Sequence, residues 1–248
     1  MYVDVNDRVI AQQLLLEGVH EEYETEIFKE LVKPSNVIVV VGANIGYYTL
    51  IAARILNGTG WIYAFEPEPH NFEILVKNIR LNGFRNITAS QLALSDTNGR
   101  EKLFLDRSNF GCPSFAEMNI ERKNRYVEVD TITLDAYFEK TVCSKIDLLK
   151  IDAQGAEGRI VQGAKGILKR LAPRIVMEFW PYGLRNVGTD PDALLTILQE
   201  TGYKAKVIDR ERKRVVASDI RELLLEYERQ YNGKGFADLL LEKDNRTN

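Results

Sequence analysis

A run of β-branched residues that ends in a glycine-containing turn constrains the fold of this chain more than any other feature. Residues 37–41 read Val-Ile-Val-Val-Val, and they are followed by Gly-Ala-Asn-Ile-Gly and an apolar segment with helical spacing. A continuous apolar strand of this kind is typical of a parallel strand that is buried on both faces. The segment therefore predicts the first strand–turn–helix unit of an open α/β sheet.

A carboxylate stands where a nucleoside-binding sheet would need one. Glu66 ends the second apolar run, 24 residues after Gly42. A carboxylate at the tip of a second strand can accept hydrogen bonds from both hydroxyls of a ribose. The two residues together predict a nucleoside-cofactor site.

The sequence of the turn favours one cofactor over another. Dinucleotide sites use the pattern G-x-G-x-x-G, which lets the backbone approach a pyrophosphate. Here Asn44 replaces the middle glycine; it tolerates a left-handed backbone, but its side chain occupies space. This disfavours a nicotinamide dehydrogenase. It favours a cofactor without a pyrophosphate, such as S-adenosylmethionine (SAM), which carries an adenosine, an amino-acid tail and a sulfonium cation.

Composition narrows the class of protein further. The 248 residues are 45% hydrophobic and 28% charged, as in an ordinary globular domain, and a net charge of -3 offers no general attraction for nucleic acid or anionic membranes. Two cysteines and two histidines form no zinc-binding pattern and no disulfide framework. Because no apolar run reaches membrane-spanning length and no signal peptide is recognisable, we expect a cytoplasmic protein.

Strand and helix patterns alternate along the rest of the chain, which predicts a mainly parallel sheet with helices on both faces. Residues 1–36, called the leader below, have helical spacing and are expected to cap the carboxyl edge of the sheet. The main domain is predicted at residues 37–242, with an antiparallel insertion at 97–131 and a tail at 243–248. Predicted strands after the first lie at 60–66, 87–94, 146–151, 174–179, 203–208 and 236–241. Predicted helices lie at 46–57, 69–82, 133–138, 157–171, 192–201 and 218–230.

Five sequence blocks occur in the order that characterises one known family. They read Val41-Gly-Ala-Asn-Ile-Gly-Tyr-Tyr-Thr49, Ala64-Phe-Glu-Pro67, Leu92-Ala-Leu-Ser-Asp96, Val129-Asp-Thr-Ile-Thr-Leu-Asp135 and Lys150-Ile-Asp-Ala-Gln-Gly-Ala-Glu157. Together they resemble the FkbM family of SAM-dependent methyltransferases over residues 20–242. The resemblance implies a Rossmann-like class I methyltransferase fold, with a seven-stranded sheet whose final strand is antiparallel. It also implies methyl transfer to a hydroxyl of a sugar, glycan or secondary metabolite.

The resemblance further implies a set of cofactor-binding residues. By position, the glycine turn would lie under the amino-acid tail, and Glu66 would hold the ribose. Asp96 would lie near the adenine, and Asp152 would face the sulfonium end. The full set is Gly42, Asn44, Gly46, Tyr48, Thr49, Glu66, Pro67, Ala93, Leu94, Asp96 and Asp152.

Methyl transfer to a hydroxyl needs a group that removes the hydroxyl proton. Asp152, Glu157 and Glu178 lie at or near the carboxyl ends of predicted strands, where open α/β sheets bind their ligands. We expect Asp152 to be the general base, with Glu178 and Glu157 as helpers, although Glu157 also fits an ordinary first-turn helix residue. His20 on the leader is a further catalytic candidate, whereas His70 is expected at the surface.

The same acids allow a metal-assisted alternative. Asp152 and Glu178, on adjacent strand tips, could share a divalent cation that binds and acidifies the hydroxyl. No third ligand stands out, so no metal-binding residues are predicted.

Two positions depart from the family pattern. Val40 stands where members usually carry an Asp, and Gln154 where they often carry a Glu. The lost charge at position 40 leaves open a degenerate methyltransferase-fold protein that binds its cofactor without turnover. N-methylation is a nearer alternative, although the Asn/Asp-Pro-Pro-aromatic block of amino-group methyltransferases is absent.

Other segments predict the surroundings of the site. Residues 109–114 are a candidate lid, Trp180 and Tyr182 are candidate pocket walls, and the basic run at 210–214 predicts an exposed turn. We expect a small-molecule or glycan hydroxyl as the acceptor, and neither nucleic acid nor a membrane as a partner.

Overall fold

Helices and strands alternate along the part of the chain that the computed structural model describes, which comprises residues 1–106, 109–121, 123–141, 143–217, 219, 222 and 234–243. The helices are α1 Ile10–Glu17, α2 Glu22–Leu31, α3 Tyr47–Leu56, α4 Pro69–Leu81, α5 Leu134–Glu139, α6 Glu157–Gln162, α7 Lys165–Leu171, α8 Pro181–Asn186 and α9 Pro191–Glu200. The strands are β1 Val37–Val41, β2 Trp61–Phe65, β3 Ile87–Ser90, β4 Ala93–Leu94, β5 Gly99–Asp106, β6 Lys123–Ile132, β7 Leu148–Ile151, β8 Arg174–Phe179, β9 Tyr203–Asp209, β10 Arg214–Ala217 and β11 Ala237–Lys243. The predicted helix at 218–230 falls outside these residues except at 219 and 222, and positions 244–248 of the tail lie outside them as well.

The main sheet has the strand order β10-β9-β11-β8-β7-β1-β2-β3. β1 pairs in parallel with β2 and β7, β2 with β3, and β7 with β8. The last strand, β11, lies between β8 and β9 and is antiparallel to both. The mainly parallel sheet with an antiparallel final strand is therefore confirmed.

The central strands form because both of their faces are covered. Val39 and Val41 lie in the apolar cluster that packs against α5, α6, α7 and α9, and Ile38 and Val40 lie in the cluster that packs against α2 and α3. Burial of each such side chain contributes about 1.5–3 kcal/mol. The sheet thus has helices on both faces, and its carboxyl edge is left for polar side chains.

The number of strands differs from the expectation of seven. In the described residues the main sheet has eight, because β10 pairs antiparallel with β9 from Arg214↔Asp209 to Ala217↔Lys206. The basic run is exposed at residues 211–214, and it forms the turn of the hairpin between β9 and β10. Its returning strand has only four residues, which is too short to give a recognisable alternation.

Two predicted elements are each divided in the structure. Residues 87–94 were expected to form one strand, but β3 belongs to the main sheet and β4 pairs with β6 in a separate sheet of order β4-β6-β5. The single helix expected at 157–171 consists of α6 and α7. Between them Gly163 lies against the carbonyl of Ser95, where a side chain would have no room. The helix α8 was not predicted.

The smaller sheet places a loop over the carboxyl edge of the main sheet. β5 and β6 pair antiparallel from Gly99↔Thr131 to Asp106↔Lys123. After the loop, Ser114 pairs back onto Phe104, with backbone hydrogen bonds of 2.8 and 3.0 Å. The end of the loop at Ser114 is thereby fixed to β5. Within the described residues, no helix is long and apolar enough to cross a membrane.

Candidate active site

A cleft opens at the carboxyl ends of β1, β2 and β7. Its walls come from the turn after β1, the tips of β2 and β7, the smaller sheet and α1. The predicted cofactor-binding residues that line it are Gly42, Asn44, Glu66, Pro67, Ala93, Leu94 and Asp152.

The turn after β1 requires its unusual residues. Gly42 has a φ of 71°, and a Cβ there would collide with the carbonyl oxygen of Asp152. Asn44 has a φ of 48°, in the left-handed region that Asn tolerates better than most residues. The close approach of β1 to β7 therefore depends on a glycine at position 42.

Glu66 links the turn to the tip of β2. Its side chain is buried at 3% exposure; Oε2 accepts a hydrogen bond from the Asn44 N–H at 2.7 Å, and Oε1 accepts one from the Glu68 N–H at 2.9 Å. Burial raises the pKa of Glu66 to about 8, although the two N–H donors counteract this. The residue is a buried carboxyl whose protonation changes near neutral pH.

The end of the cleft beyond Glu66 is apolar. It is formed by Leu92, Ala93, Leu94, Phe115 and Ile160. Such a surface suits a flat, weakly polar ring such as adenine.

Asp96 does not belong to this lining in the described structure. Its carboxylate accepts a hydrogen bond from Arg159 at 2.9 Å, and Arg159 also forms a two-pronged pair with Glu101. Burial alone would raise the pKa of Asp96, but Arg159 holds it below its ordinary value. The position predicted near the adenine therefore has a structural ion pair.

At the tip of β7, a carboxylate faces the cleft beside a buried cation. Asp152 is 31% exposed, and its Oδ2 lies 3.1 Å from Nζ of Lys150. Its Oδ1 accepts a hydrogen bond from the Gln154 amide at 2.9 Å. Burial would raise the pKa of Asp152, but the ammonium of Lys150 and the amide of Gln154 hold it below its ordinary value. Asp152 is therefore ionised at neutral pH.

Glu178 lies on the neighbouring strand and has the opposite protonation state to Asp152. Ile151 pairs with Met177, so Asp152 and Glu178 are the next residues along β7 and β8, on the same face. Oε2 of Glu178 is buried and has no hydrogen-bond partner among the described residues. Burial, together with the charges of Asp152, Glu157 and Asp238, raises its pKa well above the ordinary value. Glu178 is therefore held in its protonated form.

Glu157 is fully buried at the start of α6. Its two oxygens accept hydrogen bonds from the backbone N–H groups of Ala153 and Gly155, at 2.9 and 3.0 Å. Burial raises the pKa of Glu157 to about 7 despite these donors. Glu157 thus holds the loop that follows Asp152, and it lies outside the lining of the described cleft.

His20 lies near the same edge. Its Nδ1 is 2.5 Å from Oε1 of Gln13, and its ring meets Tyr47 edge to face. Burial lowers the pKa of His20, although the charges of Glu21 and Asp152 counteract this, so the imidazole is neutral at pH 7. Because an amide oxygen cannot donate, Nδ1 carries the proton and Nε2 is left with its lone pair.

Three further predicted cofactor residues lie behind the cleft. Tyr48 donates a hydrogen bond to Glu21 at 2.8 Å, and Nζ of Lys150 lies 4.2 Å above its ring. Thr49 is fully buried, and Gly46 packs closely against Leu75 of α4. In the described cleft none of the three is part of the wall, and each supports the turn from the helix side.

The leader is held over the carboxyl edge by one arginine. Arg210, in the turn after β9, pairs with Glu24 and Glu21 of the leader and with Asp238 of β11. The guanidinium is 36% exposed, and Asp238 is 13% exposed. Three distant segments of the chain therefore meet at this side chain.

Lys150, Arg210 and Asn71 had no predicted role. Lys150 could have been found, because residues two apart on a strand share a face and Lys150 precedes Asp152 by two. Arg210 and Asn71 find their partners across the fold, which no local pattern shows. Among the described residues, no group of three His, Cys, Asp or Glu side chains could hold a metal ion, and the shared cation stays a prediction.

Comparison with known proteins identifies the family. Residues 41–205 match the family model of the methyltransferase FkbM domain. The protein named methyltransferase sdnD from Sordaria araneosa is 29% identical over 185 residues, which cover 61% of this chain and 70% of that protein. This chain belongs to the FkbM methyltransferase family, as its sequence blocks predicted.

Solved structures show the same fold. The FkbM methyltransferase from Methylobacillus flagellatus KT aligns with a TM-score of 0.50 at 14% identity; the alignment covers 88% of this chain, which spans half the length of that protein. A Streptococcus mutans protein crystallised in complex with SAH aligns with a TM-score of 0.51 at 11% identity, over 90% of this chain and 97% of that one. The fold is that of the class I SAM methyltransferases.

SAM is accordingly the cofactor, and the cleft fits it. The carboxyl of Glu66 can receive ribose hydroxyls, the apolar end suits the adenine, and the anion of Asp152 suits a sulfonium.

Proposed function

We propose that this methyltransferase transfers its methyl group to a hydroxyl of a sugar, glycan or secondary metabolite, with Asp152 as the general base. The observation that carries the proposal is the ionised, partly exposed carboxylate of Asp152 in the wall of the cofactor cleft. A hydroxyl is a weak nucleophile until its proton is removed, and a carboxylate beside the methyl donor is suited to remove it.

Asp152 is kept ready for this role by its neighbours. When bound, SAM supplies an electrophilic methyl group with a good leaving group. Lys150 keeps Asp152 ionised, and Glu178 beside it stays protonated, so the two carboxyls hold one proton between them. The Asp152 carboxylate accepts the proton of the hydroxyl, and protonated Glu178 can donate a hydrogen bond to an acceptor oxygen.

Aromatic side chains next to Glu178 support a sugar-like or polycyclic acceptor. Trp180 and Tyr182 directly follow β8, with ring centroids 5.8 Å apart, and Nζ of Lys234 lies 5.2 Å from the centroid of Tyr182. Rings of this kind pack against the C–H faces of sugars and against apolar ring systems. A nucleic-acid acceptor is not part of the proposal, because the net charge of the chain is -3.

A labelling assay tests the proposal. The protein is incubated with SAM that carries a deuterated methyl group and with a library of sugars, glycosides, phenols and polyketide alcohols, and products are analysed by mass spectrometry. Asp152→Asn should lower the rate of transfer about 10²- to 10⁴-fold. Asp147→Asn, the same substitution just before the opposite end of β7, is the matched control and should leave the rate within about 2-fold, as for most changes outside a site.

Three outcomes would contradict the proposal. Label on nitrogen would favour an N-methyltransferase. SAM binding with no transfer to any member of the library would favour a cofactor-binding protein without turnover, and Val40 would then be the first position to restore to Asp. Equal rates for Asp152→Asn and the wild type would remove Asp152 as the base. The cytoplasmic location and the small-molecule acceptor stay predictions from the sequence.

A further inference from the structure

A loop of five residues covers the cofactor cleft, and two asparagines hold it there. Residues 109–113 cross the carboxyl edge, and Gly111 and Pro113 form part of the wall of the cleft. The carbonyl oxygen of Phe110 accepts hydrogen bonds from the Asn44 side-chain amide at 3.0 Å and from the Asn71 side-chain amide at 2.8 Å. One asparagine comes from the glycine turn and the other from the first turn of α4.

We propose that Asn44 and Asn71 are positioning residues that latch the 109–113 loop over the bound cofactor, so that breaking either hydrogen bond speeds the exchange of SAM and SAH. The inference rests on the assignment of this cleft to SAM. It does not depend on the identity of the methyl acceptor, because it concerns binding and release alone.

Hydrogen bonds hold the loop at both of its described ends. On one side Oδ1 of Asp106 in β5 accepts a hydrogen bond from the Asn109 N–H at 3.0 Å. On the other side Ser114 pairs with Phe104 and donates its hydroxyl to the carbonyl of Gln154 at 2.7 Å. Inside the loop, Asn109 bonds to Gly111 and Cys112. Among the described residues, the side-chain hydrogen bonds from Asn44 and Asn71 join the loop to the cofactor-binding edge at Phe110.

The orientation of both amides follows from this contact. A carbonyl oxygen only accepts hydrogen bonds, so each asparagine must turn its NH₂ group towards Phe110. The Asn44 Oδ1 then accepts the Ile45 N–H at 2.7 Å, while the Asn71 Oδ1 is buried without a partner among the described residues. Replacing either side chain by Asp keeps its shape but places an oxygen against the carbonyl, which opposes closure.

Cys112 offers a direct measure of loop opening. Burial raises the pKa of its thiol, and the negative charge of Asp152 raises it further. Because only the thiolate is alkylated, the closed loop protects Cys112 and an open loop exposes it. The other cysteine, Cys143, lies far from the loop in sequence, just before β7, and serves as an internal control.

The experiment measures alkylation of Cys112 by iodoacetamide, by peptide mass spectrometry, and the dissociation rate of SAH by rapid dilution. A hydrogen bond of typical net strength predicts that Asn71→Asp and Asn44→Asp each speed both processes about 2- to 13-fold. Saturating SAH should slow the alkylation of Cys112, but not of Cys143, in the wild type. Asn82→Asp is the matched control, because Asn82 lies at the far end of α4 and its side-chain amide also donates to a backbone carbonyl, that of Asn78 at 2.8 Å, away from the loop and the glycine turn.

Each result bears on the latch itself. Unchanged alkylation and dissociation rates in both Asp variants would overturn the proposal. Equal acceleration by Asn82→Asp would also overturn it, because that result would indicate general loosening of the fold. If a variant fails to fold, the wild-type measurement decides, since a loop that closes over the cofactor must protect Cys112 when SAH is bound. Failure to methylate any hydroxyl would leave these rates untouched, so the two proposals fail separately.

Discussion

Replacing Glu66 with Gln should weaken SAM binding by an amount that grows with pH. The wild-type carboxyl has a pKa of about 8 because it is buried, so below pH 8 most of it is protonated before the cofactor binds. Ribose hydroxyls are donors and the cofactor is cationic, so binding favours the carboxylate and releases a proton. Wild-type affinity should therefore rise with pH by up to about tenfold per unit between pH 6 and 8, and then level off.

The size of the effect follows from the contacts of the carboxylate. A hydrogen bond to a charged group is worth about 1.5–3 kcal/mol, which corresponds to about 10- to 150-fold in affinity at pH 9. At pH 6 the protonated wild-type side chain resembles Gln, so the difference should shrink to less than about tenfold.

Calorimetric titration with SAM at four pH values, in buffers of different ionisation enthalpy, measures both affinity and proton release. The ratio of wild-type to variant affinity cancels any titration of the cofactor itself. Glu73→Gln is the control, because Glu73 lies on α4, is exposed, pairs with Lys77 and does not line the described cleft. A constant ratio across this pH range, or an equal effect of Glu73→Gln, would refute the assignment of Glu66 to the ribose.

Other substitutions test the supports of the site. Gly42→Ala should destabilise the fold by about 3 kcal/mol in urea unfolding, because its Cβ meets the Asp152 carbonyl, and a loss below about 1 kcal/mol would contradict that geometry. Lys150→Met should raise the pKa of Asp152, because it removes the ammonium that holds this pKa down, so the acid limb of the kcat–pH profile should move to higher pH. An unmoved limb would argue against Asp152 as the base. Arg210→Met should lower the unfolding free energy by about 2 kcal/mol, because it leaves buried carboxylates without the 36% exposed guanidinium that now pairs with them. Unchanged stability would show that these ion pairs contribute nothing.

The order of the parallel strands was readable from the sequence because local patterns encode it. A strand with two buried faces needs a continuous apolar run, and Val37 to Val41 supplies one, so the first unit of the sheet was placed correctly. The edge strand β10 was missed because four residues carry too little pattern. The break between α6 and α7 was missed because its cause, the Ser95 carbonyl against Gly163, comes from another part of the chain.

In the site, too, the features set by local sequence were predicted, and those set by distant partners were not. Gly42, Glu66 and Asp152 each end a strand, and parallel strands bring their ends to one edge, so their convergence followed from the chain order. Asp96 also ends an apolar run, but Arg159 of α6 engages its carboxylate, and that partner lies 63 residues away. The binding edge of the sheet could therefore be predicted from the sequence, but which acids at that edge are already paired could not.

The ion cluster around Arg210 makes the docking of the leader depend on residues that are synthesised much later. Glu21 and Glu24 are synthesised early, Arg210 late, and Asp238 later still. The leader helix consequently has no complete anchor while the ribosome is still producing β9 and β11. Contacts between residues so far apart in sequence form slowly, so the leader should dock over the cleft last during refolding. A nascent chain that already contains the glycine turn would then expose an incomplete cofactor site until β11 inserts between β8 and β9.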